Sequence, residues 1–139
     1  MKTYDLFIDA DVLIDIGTKR YEHYHNSINA LQRALDNNQV IATSSLIIAN
    51  LYYLISKELN RQQAQSICED IMTIVEILPF HKKQIVESFE SKFSDKEDGM
   101  NYFIAYSSKC DLILTRNKRD FRHSKIIVKT PAEYLKTIK

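Results

Sequence analysis

The chain has 139 residues, of which 45% are apolar and 27% charged, and Lys plus Arg outnumber Asp plus Glu by 19 to 18. This length and composition predict a single domain over residues 1–139 and exclude a disordered or low-complexity chain. No apolar stretch approaches the roughly 20 residues of a membrane-spanning helix, and no signal peptide is recognisable, so we expect a cytoplasmic protein without a membrane partner.

Short apolar runs alternate along the chain with longer segments of helical periodicity. Strands are predicted at residues 6–8, 40–42, 74–78, 112–114 and 126–128. Helices are predicted at about residues 21–35, 44–58, 61–72, 81–89 and 94–108, with a last helix that starts at Pro131, and residues 9–20 are predicted as a loop. This alternation indicates an α/β fold, with a buried parallel sheet between two helical layers.

Polar side chains follow three of the predicted strands. They are Asp9 and Asp11 after the first strand, Ser44 and Ser45 after the second, and Thr115, Asn117 and Asp120 after the fourth. Ligands of parallel sheets bind beyond the carboxyl ends of the strands. We therefore expect these side chains to share one edge of the sheet, although they are far apart in sequence.

The acidic residues at this edge suggest a cation. Carboxylates that share a pocket repel one another, and such pockets usually hold a divalent cation or raise the pKa of a carboxyl group. Mg²⁺, or alternatively Mn²⁺, suits hard oxygen ligands without a His or Cys cluster. For Asp9 alone a turn residue explains the pattern equally well, and the simpler explanations of Asp11 and Asp15 are a helix N-cap and a solvated side chain.

Residues 94–97 have the sequence Ser-Asp-Lys-Glu, which is the pattern of a capping box. In this interpretation Ser94 and Glu97 satisfy the first backbone N–H groups of a helix. Asp98 then has no capping role, and it lies on the same helical face as Tyr102. Asp98 is therefore the better candidate for a metal ligand, although acidic residues also favour helix N-termini for stability alone.

Four segments, taken in order, resemble the motifs of the PIN domain. They are residues 7–15 (FIDADVLID), residues 44–54 (SSLIIANLYYL), Glu97-Asp98 with Asn101-Tyr102 and Ala105, and residues 115–121 (TRNKRDF). No single segment is specific, but together they cover essentially the whole chain. The resemblance implies a five-stranded parallel sheet of order 3-2-1-4-5. It also implies a metal-dependent ribonuclease, of the kind found in VapC-like toxins of bacterial toxin–antitoxin pairs.

The resemblance assigns roles to individual residues. Asp9, Asp98 and Asp120 correspond to the catalytic, metal-binding acids. Asn117 corresponds to a further metal ligand, and the supporting residues are Asn50, Thr115, Ser45 and Glu97. We add Asp11 as a metal ligand by our own inference, because it could supply a further negative charge. The partners that it implies are an RNA substrate, a cognate antitoxin protein and a second copy of the chain in a homodimer.

One position departs from the family pattern, because Asn50 stands where the family commonly has Glu. An Asn carbonyl can bind a metal, but it adds no negative charge and cannot act as a base. We therefore expect a lower metal affinity than in a site with four acids. Asp11 either restores the missing charge or is only an N-cap, and the sequence favours neither.

Basic residues are concentrated near the end of the chain, where residues 116–129 hold six basic side chains and one acidic one. The candidates for holding the phosphates of an RNA strand are Arg116, Lys118, Arg119 and Arg122, which lie beside the predicted acidic site. For each of them taken singly, a solvated loop is the simpler explanation.

Two other functions remain open. Asp9 and Asp11 also fit the Asp-x-Asp motif of haloacid-dehalogenase-like phosphohydrolases, in which the first Asp is a nucleophile. Those enzymes need a Lys and a late acidic pair, and after the fourth strand only Asp120 is available. The second alternative is a catalytically weakened PIN-like module that binds RNA or a partner without cleaving it.

Overall fold

The computed structural model describes residues 3–20 and 22–137. The strands are β1 (Leu6–Ile8), β2 (Ile41–Ser44), β3 (Glu76–Leu78), β4 (Leu112–Leu114) and β5 (Ile127–Lys129). The helices are α1 (Ala10–Thr18), α2 (Tyr24–Asp36), α3 (Ser45–Glu58), α4 (Arg61–Ile74), α5 (Lys82–Phe89), α6 (Lys96–Ser107) and α7 (Pro131–Thr137). A short 3-10 helix, Lys118–Phe121, lies between β4 and β5.

The five strands form one parallel sheet in the order β3-β2-β1-β4-β5, which confirms the predicted topology. The central strand β1 pairs with β2 on one side and with β4 on the other. All three of its side chains are buried, as expected for a strand covered on both faces. Its carboxyl end therefore lies in the middle of the sheet edge, between the ends of β2 and β4.

The helices cover the sheet in two groups. Helix α1 packs on α2 and α3, α3 packs on α4, and α7 packs on α2, whereas α5 packs on α6. Because crossovers between parallel strands are right-handed, moving outward from β1 to β3 and then back to β4 puts these groups on opposite faces. The three-layer prediction is thus confirmed. Within the described residues, no helix has the length and apolar character that crossing a membrane requires.

The segment after β1 is a helix, and the predicted loop is wrong. Asp9 is its N-cap, since its Oδ1 accepts a hydrogen bond from the N–H of Ala10 at 2.9 Å. Val12 and Leu13 are buried in the core, which stabilises the helix directly against the sheet. Asp11 therefore lies in the first turn and is not the N-cap.

The N-terminus of α6 also differs from the prediction, because Asp95 caps it in place of Ser94. The Oδ1 atom of Asp95 accepts a hydrogen bond from the N–H of Asp98 at 3.0 Å. Asp is as good an N-cap as Ser, and its charge also interacts favourably with the helix dipole. Glu97 therefore has no part in a capping box, and its carboxylate is available for another contact.

Several predicted boundaries shift by a few residues. Strand β3 begins at Glu76 because α4 continues to Ile74, and β2 runs from Ile41 to Ser44. Strand β5 begins one residue later than predicted. Helix α2 begins at Tyr24, and the predicted helix start at Tyr21 lies outside the described residues.

Candidate active site

Asp9 stands at the end of the central strand and is only 5% exposed. Its Oδ2 atom accepts a hydrogen bond from the hydroxyl of Thr115 at 2.9 Å, in addition to the N-cap bond to Ala10. Thr115 follows β4, so the pairing of β1 with β4 brings these two residues together from opposite ends of the chain. The carboxylate of Asp9 is thus fixed in orientation at the sheet edge.

Asp11 extends the same cluster of oxygen atoms. Its carboxylate lies 3.2 Å from the hydroxyl of Thr115 and accepts a hydrogen bond from the backbone N–H of Arg116 at 2.9 Å. Burial, followed by the charge of Asp11, raises the pKa of Asp9 to about 7. Burial also raises the pKa of Asp11, while the nearby Arg116 opposes that shift. Two carboxyl groups therefore share a small volume in which full ionisation is unfavourable.

A second acidic cluster joins the N-terminus of α6 to the 3-10 helix after β4. Asp95, Asp98 and Asp120 each offer a carboxylate oxygen, and these three atoms lie within 4.8 Å of one another. Burial is the largest cause of a raised pKa at Asp98, and the charges of Asp9, Asp95 and Asp120 add to it, so that the pKa is about 8. At neutral pH this group therefore carries a proton unless a cation is bound.

The two clusters form one electrostatic site. The charge of Asp9 raises the pKa of Asp98, and the charge of Asp95 in turn raises the pKa of Asp9. Asp9 is nevertheless not part of the set formed by Asp95, Asp98 and Asp120, whose carboxylate oxygens lie within 4.8 Å of one another. The predicted acids Asp9, Asp98 and Asp120 thus lie at the same edge of the sheet, with Asp98 and Asp120 in closer contact.

The loop after β4 connects both clusters through Asn117. Its backbone N–H donates to the hydroxyl oxygen of Thr115 at 3.0 Å, and its side-chain amide donates to Oδ2 of Asp120. Asn117 therefore presents its amide N–H to Asp120, and its carbonyl oxygen remains available as a ligand. A shift of this loop would move both Asp120 and the group that orients Asp9.

Among the predicted supporting residues, Asn50 and Glu97 lie on the rim of the site. The side-chain amide of Asn50 donates to Oε1 of Glu97 and so connects α3 to α6. Both residues line a cavity of about 250 Å³ together with Ala10, which follows Asp9 in the chain. Asn50 thus borders the acidic clusters and makes its hydrogen bond to Glu97.

Ser45 does not lie in the site. Its side chain is exposed, and its Oγ atom accepts a hydrogen bond from the N–H of Phe80, just after β3. The neighbouring Ser44 is the buried one and donates to Oδ1 of Asn101 at 2.6 Å, while it also caps α3. Both serines therefore have structural roles: Ser44 caps α3 and binds α6, and Ser45 binds the segment after β3.

The four predicted basic residues have different surroundings. The Nε atom of Arg116 lies 2.6 Å from a carboxylate oxygen of Asp15, so the positive charge of Arg116 is already paired within the protein. Lys118 pairs with Glu133 at 3.1 Å on the surface. The side chains of Arg119 and Arg122 are exposed beside Asp120 in the chain. The expectation that Asp15 is solvated is wrong, because it is fully buried.

Sequence reasoning missed Asp95 as a member of the acidic cluster. The usable signal was its position three residues before Asp98, because an N-cap side chain necessarily lies next to the third residue of its helix. The combined set of donors contains only carboxylate, amide and hydroxyl oxygens. Hard oxygen donors, together with carboxyl groups whose pKa values are raised, fit a divalent cation such as Mg²⁺ or Mn²⁺.

Comparison with known proteins agrees with this architecture. The chain is 32% identical to the protein named Ribonuclease VapC1 of Aquifex aeolicus, over 96% of this chain and 95% of that protein. Among solved structures, VapBC2 from Rickettsia felis bound to a promoter DNA fragment matches with a TM-score of 0.68 at 20% identity, covering 93% of this chain and 98% of that one. VapC20 from Mycobacterium tuberculosis, described as a sarcin-ricin loop cleaving toxin, matches with a TM-score of 0.63 at 11% identity, over 78% and 87% of the two chains.

A family model described as PIN domain matches residues 5–119. These residues include β1, the helix α6 and the loop after β4, from which the two acidic clusters are built. The match therefore includes Asp9, Asp11, Asp95 and Asp98, and it ends one residue before Asp120. The chain belongs to the PIN domain family.

Proposed function

We propose that this chain is a metal-dependent endoribonuclease whose catalytic acids are Asp9, Asp98 and Asp120. The observation that carries the proposal is the close set of carboxylates around Asp98, next to a buried Asp9 at the same sheet edge. Such a set is costly without a cation, because like charges and burial both oppose ionisation. The name of the 32% identical relative supports a ribonuclease activity.

The cation would be held by Asp9, Asp98 and Asp120, with Asp11 and Asn117 as further ligands. When bound, Mg²⁺ or Mn²⁺ supplies a water of lowered pKa and neutralises charge on the scissile phosphate. Thr115 orients Asp9, and the side-chain amide of Asn117 orients Asp120. Asp95 holds the first turn of α6, so that Asp98 points into the cluster.

The substrate that we propose is a single-stranded or looped RNA. Lys118, Arg119 and Arg122 surround Asp120 in the chain and can neutralise the phosphates that flank the cleaved bond. Arg116 is excluded from this role because its guanidinium group is paired with the fully buried Asp15, whereas the pair between Lys118 and Glu133 is exposed to solvent. The description of VapC20 as a toxin that cleaves the sarcin-ricin loop supports RNA as the class of substrate.

We further propose that the protein is the toxin of a cytoplasmic toxin–antitoxin pair and forms a homodimer. A cavity of about 210 Å³ between α1, α2 and α4 has a mainly apolar lining and suits an apolar segment of an antitoxin. The exposed side chains of Tyr52, Tyr53 and Leu54 on α3 suit contact with a second copy. The VapBC2 structure, a complex bound to promoter DNA, supports an antitoxin partner.

A second candidate is a weakened PIN module that binds RNA without cleaving it. The observation in its favour is that α3 contributes Asn50, which adds no charge and is bound to Glu97. In this case the remaining acids would bind a cation too weakly for turnover. RNA cleavage and RNA binding must therefore be measured separately.

The direct test is cleavage of labelled single-stranded RNA by purified protein, first treated with a chelator and then supplied with Mg²⁺ or Mn²⁺. We expect cleavage with either ion, and a loss of at least about 100-fold in Asp98→Asn and in Asp120→Asn. Asp36→Asn is the matched control, since Asp36 is exposed at the end of α2. Binding of RNA without cleavage under any metal condition would favour the weakened module, and hydrolysis of a simple phosphate monoester would favour the phosphohydrolase alternative.

A further inference from the structure

A groove with aromatic walls lies beside the acidic site. Its volume is about 330 Å³, and we call it the aromatic groove. The residues that line it include Lys92, Phe93, Phe103, Tyr106, His123 and Lys125. The volume is at the lower end of the range of about 300–1,000 Å³ that is typical of small-ligand pockets.

The floor of the groove is a packed set of rings. The centroid of the Phe93 ring lies 4.9 Å from that of Tyr102 and 6.2 Å from those of Phe103 and His123. The Tyr106 ring lies 5.7 Å from Tyr102 and is tilted by 30°. Because Phe93 and Tyr102 are buried, they hold the outer rings in place.

Two rings of this set remain open to solvent. Tyr106 is 50% exposed, and His123 is also exposed. An aromatic ring that is held by its neighbours and open on one side can stack on a nucleobase with little loss of conformational freedom. The groove therefore provides stacking surfaces that are already formed.

The charge of the groove is opposite to that of the acidic site. Lys92 and Lys125 are exposed among its lining residues, and none of the lining residues that the structure describes carries a carboxylate. The backbone N–H of Lys125 donates to the hydroxyl of Tyr102 at 3.1 Å, which fixes the segment that carries this lysine. Aromatic faces combined with lysine side chains match a nucleotide, whose base is flat and whose phosphate is anionic.

Helix α6 connects the groove to the acidic site. Asp98, Tyr102 and Tyr106 are spaced by four residues along α6 and so lie on one face of the helix. Tyr102 is therefore about 6 Å, and Tyr106 about 12 Å, along the helix axis from Asp98. On the other wall, His123 follows Asp120 by three residues.

We propose that the aromatic groove binds a nucleobase of single-stranded RNA adjacent to the scissile phosphodiester. Tyr106 and His123 stack on the base, while Lys92 and Lys125 contact the neighbouring phosphates. This assignment rests on the proposed ribonuclease function, because the same RNA strand occupies both sites. It makes the groove the element that positions the strand over the acids.

The test measures binding of short fluorescein-labelled oligouridine and oligoadenosine by fluorescence anisotropy, in the presence of a chelator to prevent cleavage. We expect Tyr106→Ala to weaken binding roughly tenfold, as for the loss of one stacked base. Tyr106→Phe keeps the ring and should keep the affinity. Phe89→Ala is the matched control, because Phe89 is a ring that is 62% exposed at the end of α5 and does not line the groove, and this variant should bind like the wild type.

A second probe, an abasic strand of equal length and charge, separates base stacking from phosphate binding. The wild type should bind it less tightly than the RNA. Tyr106→Ala should show a smaller difference between the two probes, because only His123 of the two stacking rings remains. Equal affinities of Tyr106→Ala and Phe89→Ala for RNA would overturn the proposal. A self-association that Tyr106→Ala abolishes, with RNA affinity unchanged, would also overturn it and assign the groove to a second copy of the chain.

The outcome is independent of whether the protein cleaves RNA. If the wild type never cleaves but Tyr106→Ala still loses affinity, the ribonuclease proposal fails and the groove assignment stands. If the wild type cleaves and Tyr106→Ala binds and cleaves like Phe89→Ala, the groove assignment fails alone. Thermal melts of each variant exclude misfolding, which is unexpected at a half-exposed side chain.

Discussion

Two aspartates of the same short segment, Asp9 and Asp15, are both buried but have very different surroundings. Asp15 is fully buried and receives hydrogen bonds from the guanidinium of Arg116 and from the hydroxyl of Ser27 at 3.2 Å. Asp9 receives only the hydroxyl of Thr115 and a backbone N–H, and it lies beside other carboxyl groups. Asp15 thus has a cation within the protein, whereas Asp9 has none among the partners that the structure describes.

This difference distinguishes Asp15, a structural carboxylate, from Asp9, whose ionised form would be stabilised by a bound cation. Burial alone does not distinguish the two, because each side chain is removed from water. The sign of the neighbouring charge does distinguish them. A buried ion pair loses stability when one partner is removed, whereas a buried cluster of like charges gains stability when one charge is removed.

The largest expected effect is the loss of the Asp15 pair in Arg116→Met. This change leaves a buried carboxylate without its cation, so we expect a decrease of about 3 kcal/mol in the free energy of unfolding. Urea unfolding measures it. Lys118→Met is the control, because it breaks the exposed pair with Glu133 and should cost less than about 1 kcal/mol. Equal costs for the two variants would remove the distinction between Asp15 and a surface pair.

Asp9→Asn should have the opposite sign in metal-free protein. It removes a buried charge next to Asp11, so we expect a gain on the order of 1–2 kcal/mol in unfolding free energy at pH 8, above the pKa of about 7. The same variant should lose the rise in melting temperature that Mn²⁺ or Mg²⁺ gives to the wild type. Thermal melts with and without each ion measure both effects. An identical response of wild type and variant to the ions would place cation binding elsewhere.

A smaller effect is expected in the pH dependence of stability, and it also arises from the raised pKa values of the buried carboxyl groups. The pKa values of Asp9 and Asp98 are raised to about 7 and about 8 from an ordinary value of 3.8. Between about pH 4 and pH 8 the folded protein therefore binds more protons than the unfolded chain, and its stability falls as pH rises. We expect metal-free wild type to lose a few degrees of melting temperature over this window relative to Asp98→Asn.

A divalent cation should flatten that slope, because it stabilises the ionised carboxylates. Melting curves at a series of pH values, with and without Mn²⁺, test this expectation. The comparison with Asp98→Asn cancels the contributions that the two proteins share. A wild type that becomes more stable than the variant as pH rises, without metal, would contradict the raised pKa values.

The sheet was predictable because its signal is local. Each strand is a short apolar run, and the connecting segments have helical periodicity, which together determine the α/β class. Helix α1 was missed because the acidic residues after β1 suggested a loop, although Asp9 followed by buried Val12 and Leu13 is a usable N-terminal signal. The N-cap of α6 was predicted one residue too early because the adjacent residues Ser94 and Asp95 are both good N-caps.

The long-range contacts were not predictable in the same way. The pair between Asp15 and Arg116 joins residues 101 positions apart, and no local pattern couples them. For this reason Arg116 could not be separated from the other basic residues of its loop by sequence alone. The bond between Asn50 and Glu97 is a similar case, because it depends on how α3 and α6 approach each other at the site.

The smallest expected effect concerns Asn50→Glu, which introduces the acid that the resemblance implies at this position. Because Asn50 donates to Glu97, the new carboxylate would face a like charge, and we expect a cost of about 0.5 kcal/mol in unfolding free energy. The variant should bind Mn²⁺ no more tightly than the wild type, as measured by the metal-induced rise in melting temperature. Adding Glu97→Gln to the same chain places an amide donor opposite the introduced carboxylate and should recover the lost stability. A stronger Mn²⁺ response in the single variant would instead show that position 50 reaches the cation, and that the site lacks one acid of the family pattern.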